Sequence, residues 1–130
     1  MTDDGLVSVD SKYSARETTE RLLAALPARN MTVFGRVDHA VNATTAGMAL
    51  RPTELIIFGN PKGGTVVMQD RQRAGIDLPL KALVWEDADG KAWITYNDPA
   101  WIARRHGLDQ DAAIDVMAKA MNAIAQDATK

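Results

Sequence analysis

The sequence predicts an α+β domain of two layers, with a mainly antiparallel sheet of about five strands and helices packed on one face. Stretches with the two-residue alternation of strands are interspersed with stretches of helical periodicity. An Asp-Gly pair at 89–90 separates two alternating stretches, which is typical of a hairpin. The chain has 130 residues, enough to bury one hydrophobic core without metal or disulfide support.

The first half of the chain contains signals for three strands and two helices. The three strands are expected at 6–12, 31–38 and 53–58. Ser14 and Glu17 have the spacing of a capping box, which begins a helix that Pro27 should strain or end. An alanine-rich stretch at 39–46 predicts a second, short helix, which Gly47 ends.

In the second half, the strands of the hairpin are expected at 80–87 and 91–97. Two Asx-Pro pairs, at 60–61 and 98–99, each place an N-cap before a proline at the first helical position. Gly107 ends the second of these helices.

The last helix is expected at about 109–126, with Ile114, Met117, Met121 and Ile124 along one face. This apolar stripe indicates either a part of the core or the seam of a dimer.

Composition excludes several classes of function. Fifteen basic residues against seventeen acidic ones give a net charge of -2, and no basic face suggests nucleic-acid binding. The absence of cysteine excludes disulfides, thiolate metal sites and a cysteine nucleophile. Neither a signal-peptide pattern nor a membrane span of ~18 apolar residues is visible, so we expect a cytoplasmic protein, unless a leader has been removed.

The stretch FGNPKGGT at 58–65 resembles the start of a phosphate-binding loop. Gly59 and Gly64 have the required spacing and Thr65 follows, but no lysine stands directly before the threonine. Lys62 lies inside the loop instead, and Pro61 removes one backbone N–H donor. The stretch is therefore interpreted as a strand end followed by a short helix with glycines in its first turn.

Glycines in a helix cost about 0.5–1 kcal/mol each relative to alanine, so we expect a compensation. Three remain open: tight packing against the sheet, close approach of a partner chain, or a ligand. In the last case Asn60, Lys62 and Thr65 would hold a small polar or anionic molecule at the helix N-terminus.

A second hypothesis is an enzyme in which Glu86 or Asp98 forms an acid–base pair with His106. Asp98 also fits a simple capping role, and His106 fits the end of a helix, where a positive charge is favourable. A metal site would need His39, His106 and a carboxylate to converge. We expect neither a metal nor a cofactor.

Several motifs occur together in a recognisable order. They are FGNPK at 58–62, GT at 64–65, DLPLK at 77–81, WED at 85–87, YNDP at 96–99 and RH at 105–106. In these, the chain resembles the bacterial and archaeal family called domain of unknown function 302, over about residues 5–108. Residues from about 109 to 127 are then expected to form a helical C-terminal extension, within a single domain of residues 1–130.

The resemblance implies a two-layer α+β fold with a topology similar to a TATA-binding-protein half-domain, and a homodimer. It carries over no activity. We therefore expect a homodimer that binds a small polar or anionic ligand near the 59–65 turn. Besides the three turn residues, the side chains next expected to line the site are Trp85, Tyr96 and His106. The remaining alternative is a purely structural or interaction domain whose dimer contact runs through the stripe of the last helix.

Overall fold

Five strands form one antiparallel sheet in the structure, a computed structural model that describes residues 4–108 and 111–130. The strands are β1 (Leu6–Asp10), β2 (Thr32–Asp38), β3 (Thr53–Gly59), β4 (Leu80–Glu86) and β5 (Ala92–Asn97). The helices are α1 (Ala15–Ala25), α2 (His39–Thr45), α3 (Pro61–Asp70), α4 (Pro99–His106) and α5 (Ala112–Thr129). The sheet order is β1-β5-β4-β3-β2, and every neighbouring pair runs antiparallel. The predicted α+β architecture is confirmed.

The predicted helix starts are also confirmed by their caps. The Ser14 hydroxyl accepts the backbone N–H of Glu17 at 3.1 Å, which is one of the two bonds of a capping box. Asn60 and Asp98 likewise accept N–H groups of the helices that follow them. Because these bonds are local, the residue types alone were enough to place the starts of α1, α3 and α4 within a residue or two.

Some features were not predicted. A 3₁₀ segment at Gln72–Asp77 follows α3, and the Leu78–Pro79 peptide bond after it is cis. The register of β2 shifts between Val33 and Gly35, opposite β3.

The inner face of the sheet forms the core with α1 and α5. On β4, Leu80, Ala82 and Val84 are at most 4% exposed, as the two-residue alternation predicted. Phe58 of β3 and Leu22 of α1 are fully buried against the same core. Burial of a large apolar side chain contributes about 1.5–3 kcal/mol, so this layer supplies most of the fold's stability.

The last helix belongs to that core. Ile114, Met117, Met121 and Ile124 are all buried, so the apolar stripe of α5 faces its own sheet. This burial supports the interpretation of the stripe as a part of the core, and the homodimer itself stays a prediction. The expected extension of about 109–127 is helical from Ala112 and shares the core of the rest of the chain. Residues 109 and 110, where we expected it to begin, lie outside the described residues.

Gly5 joins β1 to the start of α4. Its carbonyl accepts the backbone N–H of Asp98 at 2.8 Å, and its φ is +78°, which side chains disfavour. A Cβ at this position would lie 2.5 Å from Cδ2 of Trp101. Both the conformation and the space therefore require glycine.

We predict that Gly5→Ala lowers the free energy of unfolding by roughly 2–4 kcal/mol, since backbone strain and overpacking add. Gly47 provides a matched control, because its φ is also +78° but a Cβ added there would have no neighbour within 4 Å. Gly47→Ala should cost only about 1 kcal/mol from backbone strain. Denaturant unfolding measures both values, and equal losses would contradict the role given to Trp101.

Candidate functional site

The turn at 59–65 forms part of a groove of about 810 Å³, which we call the α3 groove. Its lining residues come from four stretches of the chain, within 28–34, 59–68, 78–80 and 113–120. The first turn of α3 and one side of α5 therefore face each other across it. Asn60, Lys62 and Thr65, the three predicted turn residues, all line this groove.

The walls of the α3 groove are mainly apolar. Phe34, Val66 and Val116 line it and are 51%, 47% and 68% exposed, although each is a large hydrophobic side chain. The charged side chains among its described lining residues are Arg29, Lys62 and Lys119, and no carboxylate is among them. The groove thus combines apolar walls with positive charge.

The N–H groups at the start of α3 are already bonded within the chain. Asn60 Oδ1 accepts the N–H groups of Lys62 at 2.9 Å and of Gly63 at 3.3 Å. The N–H of Gly64 bonds to the Asn60 carbonyl, and the Thr65 hydroxyl donates to the Pro61 carbonyl at 2.7 Å. These bonds occupy the donors that we expected to orient a ligand. Side-chain charge is therefore the main polar feature left to the groove.

The glycines of this turn are not required by packing inside the chain. A Cβ on Gly63 would lie 3.8 Å from Met117 Cε, and one on Gly64 would lie 3.9 Å from Met68 Cε. Both are ordinary van der Waals distances, and neither glycine has a positive φ. Of the three explanations left open by the sequence, tight packing against the sheet does not account for these two residues.

Trp85 lies away from the groove, on the outer face of the sheet. Its indole stacks on Trp93 at 6.2 Å between ring centroids, and its Nε1–H donates to Thr95 at 2.9 Å. The Trp93 indole in turn donates to Asp87 at 2.8 Å, which lowers the pKa of that carboxyl. These contacts organise the surface around the hairpin.

Tyr96 lies on the inner face and is only 6% exposed. Burial raises the pKa of its phenol above the ordinary 10.0, and the neighbouring Asp98 raises it further. The phenol therefore stays neutral near pH 7. It belongs to the core and does not line the α3 groove.

The acid–base pairs of the enzyme hypothesis are not hydrogen-bonded in the described residues. Glu86 lies at the hairpin end of β4, opposite Ala92, and the partner of His106 is Asp77. Asp98 is also engaged as the cap of α4, where it accepts the Ala100 N–H at 3.0 Å. His106 lies two turns further along, about 12 Å away along the axis of α4.

His106 instead pairs with Asp77, which the sequence had not singled out as a site residue. Its Nε2 lies 2.6 Å from Asp77 Oδ2, and Arg105 Nη1 lies 3.1 Å from Oδ1 of the same carboxylate. The Asp77 side chain is 17% exposed and that of His106 is 11% exposed. Both residues belong to the quoted motifs, but only the fold brings them together.

The described part of the chain contains neither a cluster of metal-binding side chains nor a helix that could span a membrane. Within residues 4–108 and 111–130, no group of three His, Cys, Asp or Glu side chains is arranged to hold a metal ion. The site considered from His39, His106 and a carboxylate is therefore not formed. In the same ranges, no helix is both long enough and apolar enough to cross a bilayer.

A family model and a solved structure both match this chain. A family model described as domain of unknown function DUF302 matches residues 7–126. A crystal structure of an uncharacterized conserved protein DUF302 from Bacillus stearothermophilus superposes with a TM-score of 0.86. It covers 98% of this chain and 99% of its own, at 19% identity, and so shares the fold.

Curated relatives carry a different name. The fluoride-specific ion channel FluC 1 of Brucella suis biovar 1 is 56% identical over 119 residues. The match covers 90% of this chain and 47% of that protein. For the protein of the same name from Brucella abortus biovar 1 the identity is again 56%, with 44% of its length covered. The chain spans about half the length of these relatives.

The family match includes α3 and most of α5, the two helices that flank the α3 groove. It also covers β2 to β5 and all of β1 except its first residue. The chain belongs to the DUF302 family.

Proposed function

We propose that this protein binds a small amphipathic anion in the α3 groove. The molecule would have an apolar body and one anionic group, as a medium-chain carboxylate or sulfonate has. The observation that carries the proposal is the pairing of apolar walls with positive charges alone, among the described residues of the lining.

The volume and the walls suit such a ligand. A groove of about 810 Å³ lies within the range of about 300–1,000 Å³ that is usual for small-molecule sites. Phe34, Val66 and Val116 remain exposed at its surface, so a bound apolar body would remove them from water. Each buried methylene contributes about 0.8 kcal/mol, which favours a hydrocarbon chain or ring over a fully polar molecule.

The charges favour an anion over a cation or a neutral molecule. Arg29, Lys62 and Lys119 come from three separate parts of the chain and surround one groove. Lys62 and Lys119 have no ion-pair partner among the described residues, so an incoming anion does not have to displace a carboxylate. A lysine ammonium on a flexible stem can follow the anionic group of the ligand.

The proposal changes the expectation drawn from the sequence. That expectation was a polar or anionic ligand held by helix N–H groups with Asn60 and Thr65. Because those groups bond to one another at the start of α3, the ligand would be recognised mainly by apolar contact and by the charge of Lys62. Gly63 and Gly64 would serve by keeping the floor of the groove free of side chains.

We predict that Lys62→Gln weakens binding of anilinonaphthalene sulfonate, an amphipathic anion whose fluorescence reports its binding, by roughly three- to tenfold. The substitution removes one charge and keeps most of the stem. Lys91→Gln is the matched control, because Lys91 lies on the hairpin and pairs with Asp10 at 3.4 Å. An equal effect of both substitutions, or no binding by the wild type, would refute the proposal.

Gly64→Ala is predicted to change stability and binding in opposite directions. Alanine should raise the free energy of unfolding by about 0.5–1 kcal/mol, because it favours the helix and its Cβ has room. The same methyl group protrudes into the groove, so affinity for the fluorescent anion should fall. Unfolding and fluorescence titrations on one preparation measure both, and an unchanged affinity would count against occupation of the groove near α3.

The homodimer expected from the sequence remains a proposal, and a second copy is the competing occupant of the groove. Light scattering at micromolar concentration decides between them. If the wild type is a dimer and Val116→Lys makes it monomeric, the exposed apolar wall serves self-association. If Val116→Lys leaves the mass unchanged and alters anion binding, the groove serves a ligand.

A second candidate function follows from the named relatives. We infer that this domain works in proteins that handle fluoride, because half of each relative named as a fluoride channel matches it at 56% identity. The remaining half of those proteins would then carry the channel. The simplest role for the present domain is to bind fluoride itself.

Fluoride binding is tested directly by fluorine NMR. Addition of the protein to sodium fluoride should broaden the fluoride resonance. An excess of sodium chloride should not reverse this broadening if the site is selective for fluoride. A resonance that keeps its width at millimolar protein would contradict fluoride binding by this domain. The outcome is independent of the sulfonate titration, because a bare ion gains nothing from apolar walls.

A further inference from the structure

A second groove, of about 990 Å³, lies beyond the C-terminal end of α3, and we call it the arginine groove. Three arginines line it, Arg71 and Arg73 from the 3₁₀ region and Arg105 from the end of α4, together with His106. Asp70 is the acidic side chain among its described lining residues. The sequence showed no such cluster, because 32 positions separate the arginines at 73 and 105.

The three guanidinium groups differ in how firmly they are engaged. For Arg73, no side-chain ion pair or hydrogen bond occurs with any residue in the described ranges, 4–108 and 111–130. Arg71 Nη1 donates to the Asp70 carbonyl at 3.0 Å and contacts the Asp70 carboxylate at 3.4 Å, and both side chains are more than half exposed. Such an exposed pair contributes little, so Arg71 can turn toward a ligand at small cost.

Arg105 and His106 are held in place by Asp77. The carboxylate accepts from Arg105 Nη1 at both oxygens, at 3.1 Å and 3.2 Å, and contacts His106 Nε2 at 2.6 Å. One arginine and one imidazole are thus fixed at the groove, while two further arginines approach it from the 3₁₀ region.

We infer that the arginine groove is a binding site for a phosphate group, either free or as a phosphomonoester. A guanidinium group presents planar paired donors that match the oxygens of phosphate, and several of them suit a dianion better than a single carboxylate. The inference does not depend on the α3 groove, since the two grooves share no lining residue.

The surroundings suit a small phosphate compound and not a polyanion. The chain has a net charge of -2, and Asp70 and Asp77 pair with two of the three arginines, so the positive charge at the groove is confined to a small patch. Ile76 lines the groove and is 76% exposed, which offers an apolar contact to the organic part of an ester. Phenyl phosphate is therefore expected to bind more tightly than inorganic phosphate.

Isothermal titration calorimetry on the full chain compares the affinities for inorganic phosphate, phenyl phosphate and benzoate. Both phosphates should bind, and benzoate should bind at least tenfold more weakly. Arg73→Gln should weaken phosphate binding by about tenfold or more, since a charged hydrogen-bond donor is lost. Arg51→Gln is the control, because Arg51 is exposed and lies outside this groove.

Absence of phosphate binding at millimolar concentration would overturn the inference, as would equal effects of Arg73→Gln and Arg51→Gln. Phosphate binding that is lost in Lys62→Gln but kept in Arg73→Gln would also overturn it, because the anion would then occupy the α3 groove. Ile76→Ser separates the two sources of phosphate. If it removes a preference for phenyl phosphate, the site is for an ester. If no preference exists, the site is for free phosphate.

Discussion

The packing of α1 and α5 against the inner face of the sheet is the constraint on which the rest of the structure depends. Leu22 of α1 and Met121 and Ile124 of α5 are buried in this layer, in which α1 packs on β4 and β5 and α5 packs on β1 and β5. Because α5 is fixed in this way, its remaining surface forms one wall of the α3 groove, with Val116 and Lys119 facing the first turn of α3. The position of this wall of the groove therefore follows from the packing of the core.

Both candidate sites are organised by α3 and the segment after it. The α3 groove lies at the start of this helix, whereas the arginine groove lies at its end and along the 3₁₀ segment. Short connections like these are typical places for binding groups on a rigid scaffold. The two sites differ in chemistry, with apolar walls and separate lysines at one end and clustered guanidinium groups at the other.

The fold could be predicted because its signals are local. Caps such as Ser14 and Asn60, the Asp-Gly hairpin and the two-residue alternation of β4 each depend on neighbours in the sequence. The site was predicted only in part: Asn60, Lys62 and Thr65 do line a groove, while Trp85, Tyr96 and Glu86 lie elsewhere. The positions of Trp85, Tyr96 and Glu86 are set by the pairing of β4 with β5. The contact of Asp77 with His106 spans 29 positions, and no local pattern reveals it.

The self-capped start of α3 has a consequence for selectivity. Because the backbone donors there are already bonded, the groove offers an anion mobile ammonium groups and few donors of fixed direction. Fixed donors discriminate the geometry of an oxyanion, whereas mobile surface charges mainly sense its total charge. Such charges are screened over about 8 Å at physiological ionic strength. For the anion proposed here, the charge contribution to affinity would therefore fall as ionic strength rises, while the contribution of the apolar walls would remain.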